Sequence, residues 1–80
     1  MTQAEHKREA PASVRCYVIT VSDTRTEATD RSGRAIADLL LAAGHHVAGR
    51  AVIKDDAALV RDAVTRQLAD MTVDAIITTG

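Results

Sequence analysis

The apolar positions of the chain fall into short runs separated by two segments of helical spacing. Tyr17 to Val21, within a first strand over Val14 to Val21, is a nearly unbroken apolar run with three β-branched aliphatic residues and a threonine. Such a run predicts a strand covered on both faces, as in the middle of a parallel sheet. From Ile36 the spacing changes, because Ile36, Leu39, Leu40 and Ala43 share one face of a helix. Asp30 or Ser32 can cap the start of that helix, where free N–H groups need an acceptor. Gly44, free to take positive φ, ends it.

Val47 to Ile53 reads as a second strand, with Val47, Gly49, Ala51 and Ile53 on one face and Ala48, Arg50 and Val52 on the other. An arginine in its middle places it nearer the sheet edge than the first strand. Lys54, Asp55 and Asp56 form the turn out of it. Val60, Val64, Leu68 and Met71 are the expected buried stripe of a second helix. Val73 to Ile77 is a third strand, and Thr78-Thr79-Gly80 follows it. The order β-α-β-α-β predicts an α/β fold with parallel neighbours and right-handed crossovers. The expected strand order is 2-1-3, with the opening strand in the middle. Met1 to Ser13, polar and holding the only proline, reads as a flexible tail before a single domain over 14–80.

Composition narrows the function classes more than the fold. Eighty residues make at most one small domain, and Tyr17 is the single aromatic residue. The core must therefore be built from Ala, Val, Ile and Leu, which suits helix-on-sheet packing. Ten basic against eleven acidic residues leave no basic stripe for nucleic acid. No apolar run approaches the ~20 residues needed to span a bilayer. The opening residues also lack the apolar segment of a signal peptide. The expected location is cytoplasmic, where the lone Cys16 is a reduced, buried thiol.

A parallel sheet brings the carboxyl ends of all its strands to one rim, and there the chemistry gathers. Ser22, Asp23, Thr24, Arg25 and Thr26 follow the first strand, Asp55 and Asp56 the second, and Thr78-Thr79-Gly80 the third. With order 2-1-3, the crevice between strands one and three is a topological switch point, where open α/β sheets bind ligands. Asp23 and Thr24 either complete a turn or face a ligand. Asp55 or Asp56 either caps the second helix or holds a divalent cation between phosphates. Arg25 is either solvated or paired with an anionic group. His45 and His46, adjacent in an extended segment, point to opposite faces and make no joint metal site.

Some alternatives are narrowed by the same residues. No Gly-x-Gly-x-x-Gly follows the first strand, so the dinucleotide-binding fingerprint is missing. A receiver-like signalling module needs a carboxylate at the end of the third strand, where Thr78-Thr79-Gly80 stands. A non-catalytic assembly or binding domain of the same α/β class stays open.

VSDTRTEATDRSG, the AGHHV turn, the acidic pair in VIKDDAAL and the segment VDAIITTG together resemble the molybdenum cofactor biosynthesis B/Mog family. The resemblance runs in order from about Val14 to Gly80. It implies a three-layer αβα domain with a mainly parallel sheet, forming a homotrimer or hexamer. It further implies binding of molybdopterin and, in Mog-type members, transfer of an adenylyl group from ATP with magnesium; GTP is the alternative nucleotide. Asp55 matches a family aspartate implicated in that transfer and is the implied magnesium ligand. Ser22, Asp23, Thr24 and Arg25, with Ser32 and Gly33 of the Asp-x-Ser-Gly stretch, match the loop facing the same pocket. Thr79 and Gly80 match the start of a glycine-rich turn that binds the pterin phosphate. The sequence ends at the first glycine of that turn. The expectation is therefore the N-terminal part of such a domain, inactive by itself.

Overall fold

The computed structural model describes residues 12–80. The expected tail over Met1 to Ser13 lies outside the described residues except for Ala12 and Ser13. The elements are β1 (Arg15–Val21), α1 (Arg31–Ala42), β2 (His46–Ile53), α2 (Ala57–Leu68) and β3 (Ala75–Thr79). The sheet has three strands in the order β2-β1-β3, and both pairings are parallel. The β-α-β-α-β reading and its strand order therefore hold.

β1 is central because it can be buried on both sides. Cys16, Val18, Ile19 and Thr20 are all buried, and Cys16 is a free thiol. Val14 lies just outside the strand, although its carbonyl accepts from the His46 N–H at 2.9 Å and its own N–H donates to His45 Nδ1 at 3.2 Å. On β2 the register shifts between Cys16 and Tyr17: Cys16 pairs with Val47 and Tyr17 with Gly49. Ala48 is the extra residue of a bulge, so the alternation expected across Val47 to Ile53 holds only from Gly49 onward. β3 begins and ends two residues later than the expected Val73 to Ile77, taking in Thr78 and Thr79 as strand residues. Their β-branched side chains fit a pleated surface, and Thr79 pairs with Thr20.

Each helix keeps part of its expected face, Ile36 and Leu40 in α1 and Val60 and Val64 in α2, and turns the other expected residues to solvent. In α1 the buried residues are Gly33 and Ala37, flanked by half-buried Ile36 and Leu40. Leu39 is 70% exposed, and Ala43 lies beyond the helix end. Small residues face the sheet because the helix start presses directly on β1, as Gly33 shows below. The end of α1 is as expected: the Gly44 and His45 N–H groups donate to Leu41 and Leu40 carbonyls at 3.1 and 2.9 Å, with Gly44 at φ 87°. That is a Schellman closure, which needs the left-handed conformation a glycine adopts without strain.

In α2 the half-buried residues are Val60, Ala63, Val64 and Gln67. Leu68 is 72% exposed, and Met71 lies past the helix at 96% exposure. Val64, Gln67 and Leu68 border a cleft of about 360 Å³ whose other wall includes Ile76 and Thr78 of β3. In the turn after α2, the hydroxyl and amide of Thr72 hold the Asp70 carboxylate at 2.7 and 2.8 Å, which lowers its pKa from the ordinary value. No helix among the described residues is long and apolar enough to cross a membrane.

Candidate functional site

The turn leaving β1 is shaped first by Ser22. Its N–H donates to the Ile53 carbonyl at 2.9 Å, extending the β1–β2 ladder by one bond. Its Oγ accepts from the N–H groups of Thr24 at 3.2 Å and Arg25 at 3.1 Å, folding the chain back over the strand end. Thr26 and Thr29 close the outer part, with the Thr26 N–H on Thr29 Oγ1 at 2.9 Å. The Arg25 guanidinium donates to the Thr29 carbonyl at 3.4 Å, at the limit of a useful bond, and stays exposed. A small side chain that accepts from backbone N–H groups in a turn is what serine supplies.

Asp23 joins this loop to the next strand end. Its Oδ1 accepts the Asp55 N–H at 3.0 Å, across the mouth between β1 and β2. The acidic pair then divides its work. Asp56 is the N-cap of α2, with Oδ1 accepting from Ala58 and Leu59 N–H groups at 3.0 and 3.1 Å. Asp55 is exposed, and its carboxylate has no hydrogen bond or ion pair among the described residues. Asp56→Ala should lower stability by about 1 kcal/mol, read as a shifted urea midpoint at unchanged slope, whereas Asp56→Asn should change it little.

Thr79 ends β3 beside Thr20, and Gly80 lies against the end of β1. A Cβ on Gly80 would sit 2.9 Å from the Val21 carbonyl oxygen, a backbone atom that cannot move aside. The glycine thus lets the two chain segments approach at the rim. Ser22 to Arg25, Asp55, Thr79 and Gly80 consequently stand at one edge, as parallel pairing requires.

Ser32 and Gly33 stand in the first turn of α1, in different surroundings. Ser32 is exposed, and the cap is Asp30. Gly33 is buried, and its Cα hydrogens press on Asp30 and Thr20; a Cβ there would meet Thr20 Oγ1 at 2.6 Å and Asp30 Cγ at 2.8 Å. Asp30 itself is 3% exposed. Its Oδ1 accepts from Thr20 Oγ1 at 2.9 Å and from the Gly33 N–H at 3.0 Å, while Oδ2 faces Arg50 Nη1 at 3.6 Å. These contacts under the loop were not foreseen beyond the cap itself. Two signals for them were in the chain: a hydroxyl inside the apolar run at Thr20, and a charge inside a strand at Arg50.

Among the described residues, no group of three or more His, Cys, Asp or Glu side chains is placed to hold a metal ion. The rim offers one uncommitted carboxylate, Asp55. That donor set fits magnesium only as an ion carried by substrate phosphates, since Mg²⁺ is commonly held by one or two carboxylates plus phosphate oxygens.

Comparison with known proteins agrees with this geometry. The model of the family described as "Probable molybdopterin binding domain" matches residues 17–80. Proteins called "Molybdenum cofactor biosynthesis protein B" are similar along the chain. Those of Bacillus cereus and Bacillus subtilis are 44% and 45% identical over 80 residues, covering all of this chain and 47% of each relative. That of Escherichia coli is 35% identical over 66 residues, covering 82% of this chain and 39% of the relative. A crystal structure of a protein with the same description superposes with a TM-score of 0.84 at 43% identity, covering 90% of this chain and 45% of that one. The chain spans about half the length of the curated relatives it matches. With a parallel 2-1-3 sheet, a hydroxyl- and carboxylate-lined rim and a match over residues 17–80, the chain belongs to the probable molybdopterin binding domain family.

Proposed function

We propose that this chain takes part in molybdenum cofactor synthesis, presenting its rim to molybdopterin and to a nucleotide. The observation that carries the reading is the bond from the Asp55 N–H to Asp23, which joins the ends of β1 and β2 while leaving the Asp55 carboxylate uncommitted at the rim. Loop 22–26 and the Thr79–Gly80 end then bind the pterin phosphate, through hydroxyls and the Arg25 guanidinium. The nucleotide, ATP or GTP, lies toward Asp55. An oxygen of the pterin phosphate bonds to the α-phosphorus, the bond to the bridging oxygen breaks, and pyrophosphate leaves. Asp55 would hold a magnesium ion brought by the nucleotide, and the ion would supply charge neutralisation for that leaving group. The chain's own contribution is orientation: it holds both phosphates at one rim in line for transfer.

Assembly belongs to the same proposal. Leu39, Leu41, Leu68 and Met71 are large apolar side chains left exposed, and a homotrimer or hexamer is the arrangement proposed to cover them. A cytoplasmic location completes the reading, since a diffusible nucleotide is required.

Titrating molybdopterin into the ¹⁵N-labelled chain tests the binding claim. Saturable shifts are expected at the Ser22 to Thr26, Asp55, Thr79 and Gly80 amides, with the far ends of the strands unmoved. Shifts spread without preference over the surface, or none at millimolar ligand, would remove it.

A further inference from the structure

We propose that Asp30 is a positioning residue: its buried carboxylate sets the geometry of loop 22–29 by pinning the entry and exit of the loop to one oxygen atom. The functional consequence rests on the reading of that loop as the molybdopterin-facing element.

The chain contains an internal control for ordinary capping. Asp56 caps α2 from an exposed position, with bonds to two N–H groups and nothing else. Asp30 caps α1 from a position 3% exposed. Removing a carboxylate from water costs far more than a cap returns, so burial at Asp30 is explained by what else the group holds. Oδ1 accepts from Thr20 Oγ1, on the last part of β1 before the loop, and from the Gly33 N–H, in the helix turn just after it. A single atom therefore fixes where the loop leaves the sheet and where it re-enters the helix.

The charge is fixed from a third element. Arg50 of β2 places Nη1 at 3.6 Å from Oδ2, and that nitrogen is buried with no hydrogen-bond partner among the described residues. The Arg50 side chain is 27% exposed and, with Glu27 and Asp30, borders a cleft of about 200 Å³ beside the loop. It places a positive charge from β2 beside the carboxylate that anchors both ends of the loop. The bonds inside the loop, from Ser22 Oγ and between Thr26 and Thr29, shape it between these two fixed ends. Gly33 has no Cβ because the carboxylate and the Thr20 hydroxyl occupy the space.

Two substitutions at Thr20 separate this role from packing. Thr20→Val keeps the volume and loses the hydroxyl; Thr20→Ser keeps the hydroxyl and loses a methyl group. Backbone ¹⁵N order parameters are measured on the chain without ligand. In Thr20→Val, residues 24–29 should fall to about 0.6 or lower while β1 and α1 stay near about 0.85. In Thr20→Ser the loop should remain as in the unsubstituted chain. Equal loosening in both variants, or in neither, overturns the proposal. If the valine variant does not fold, Asp30→Ser replaces it: serine still caps α1 but is too short to hold Thr20 as well. Loop order should drop there with α1 intact, and an ordered loop overturns the claim.

Molybdopterin affinity on the same samples tests the consequence. It should weaken about tenfold in Thr20→Val, the order expected for one charge-assisted bond, and be unchanged in Thr20→Ser. A loosened loop with unchanged affinity overturns positioning. An unsubstituted chain that has an ordered loop but does not bind molybdopterin instead removes the proposed function and leaves the anchor standing.

Discussion

Gly33→Ala is expected to destabilise the chain by about 2–4 kcal/mol, although glycine to alanine in a helix ordinarily stabilises by about 0.5–1 kcal/mol. The reversal of sign comes from what the new methyl group meets. It would overlap Asp30 Oδ2 and approach Thr20 Oγ1 to 2.6 Å and Asp30 Cγ to 2.8 Å. Neither neighbour can swing away cheaply. Both side chains are buried, and they are bonded to each other at 2.9 Å. Either the helix start lifts off β1, or Asp30 turns and leaves a buried hydroxyl and an N–H without their acceptor, at about 1–3 kcal/mol for each unsatisfied group. A domain of this size has only about 4–12 kcal/mol in total, so a fall in Tm exceeding about 10 °C should appear in thermal unfolding by circular dichroism. Gly44→Ala is the comparison. A Cβ at Gly44 meets nothing within 4 Å, so its cost is the strain of φ 87° alone, about 1–2 kcal/mol. A Gly33 variant as stable as the unsubstituted chain would show that the helix start has slack the geometry denies.

The strands and their order were legible because the signal for a buried central strand is continuous. The run at the end of β1 reads as covered on both faces, and Val18, Ile19 and Thr20 are buried in succession; two helical crossovers leave little choice but parallel pairing. The helix faces were less legible. Periodicity weights large side chains, so it selected Leu39, Leu68 and Met71, whereas contact with the sheet in α1 depends on closeness and falls to Gly33 and Ala37. A glycine carries no weight in such a pattern, yet it decides where the helix can touch. The bulge at Ala48 also left no trace, because an extra alanine between apolar residues changes neither composition nor propensity. At the rim, topology determined which residues meet, but not how they divide their roles. Adjacent Asp55 and Asp56 are equal candidates for the α2 cap; the chain direction at the end of β2 gives the cap to Asp56. Asp30 and Ser32 were similarly equal until the Thr20 hydroxyl, inside the apolar run, drew the carboxylate inward.

Asp55→Asn should slow the proposed transfer by about 10²–10³ without harming the fold. The side chain is exposed and has no partner among the described residues, and the bond that orders this turn uses the Asp55 N–H, which asparagine retains. Stability should therefore stay within about 0.5 kcal/mol of the unsubstituted chain. The amide changes two things in chemistry: a negative charge is lost, and a strong ligand for a hard cation becomes a weak one. Loss of one group that stabilises charge in a transition state costs about 10²–10³ in rate, and that fall is expected for labelled adenylyl transfer to molybdopterin. Manganese in place of magnesium gives a readout that needs no turnover. With ATP present, its paramagnetism should broaden the Asp55 and Asp56 amide signals in the unsubstituted chain and spare them in Asp55→Asn. An assembly role predicts something else: unchanged oligomers, unchanged broadening and no transfer to lose. Labelled product at equal rates from both chains would take Asp55 out of the reaction. If molybdopterin shifts the rim signals but the unsubstituted chain yields no product, binding remains and transfer is not a property of this chain by itself.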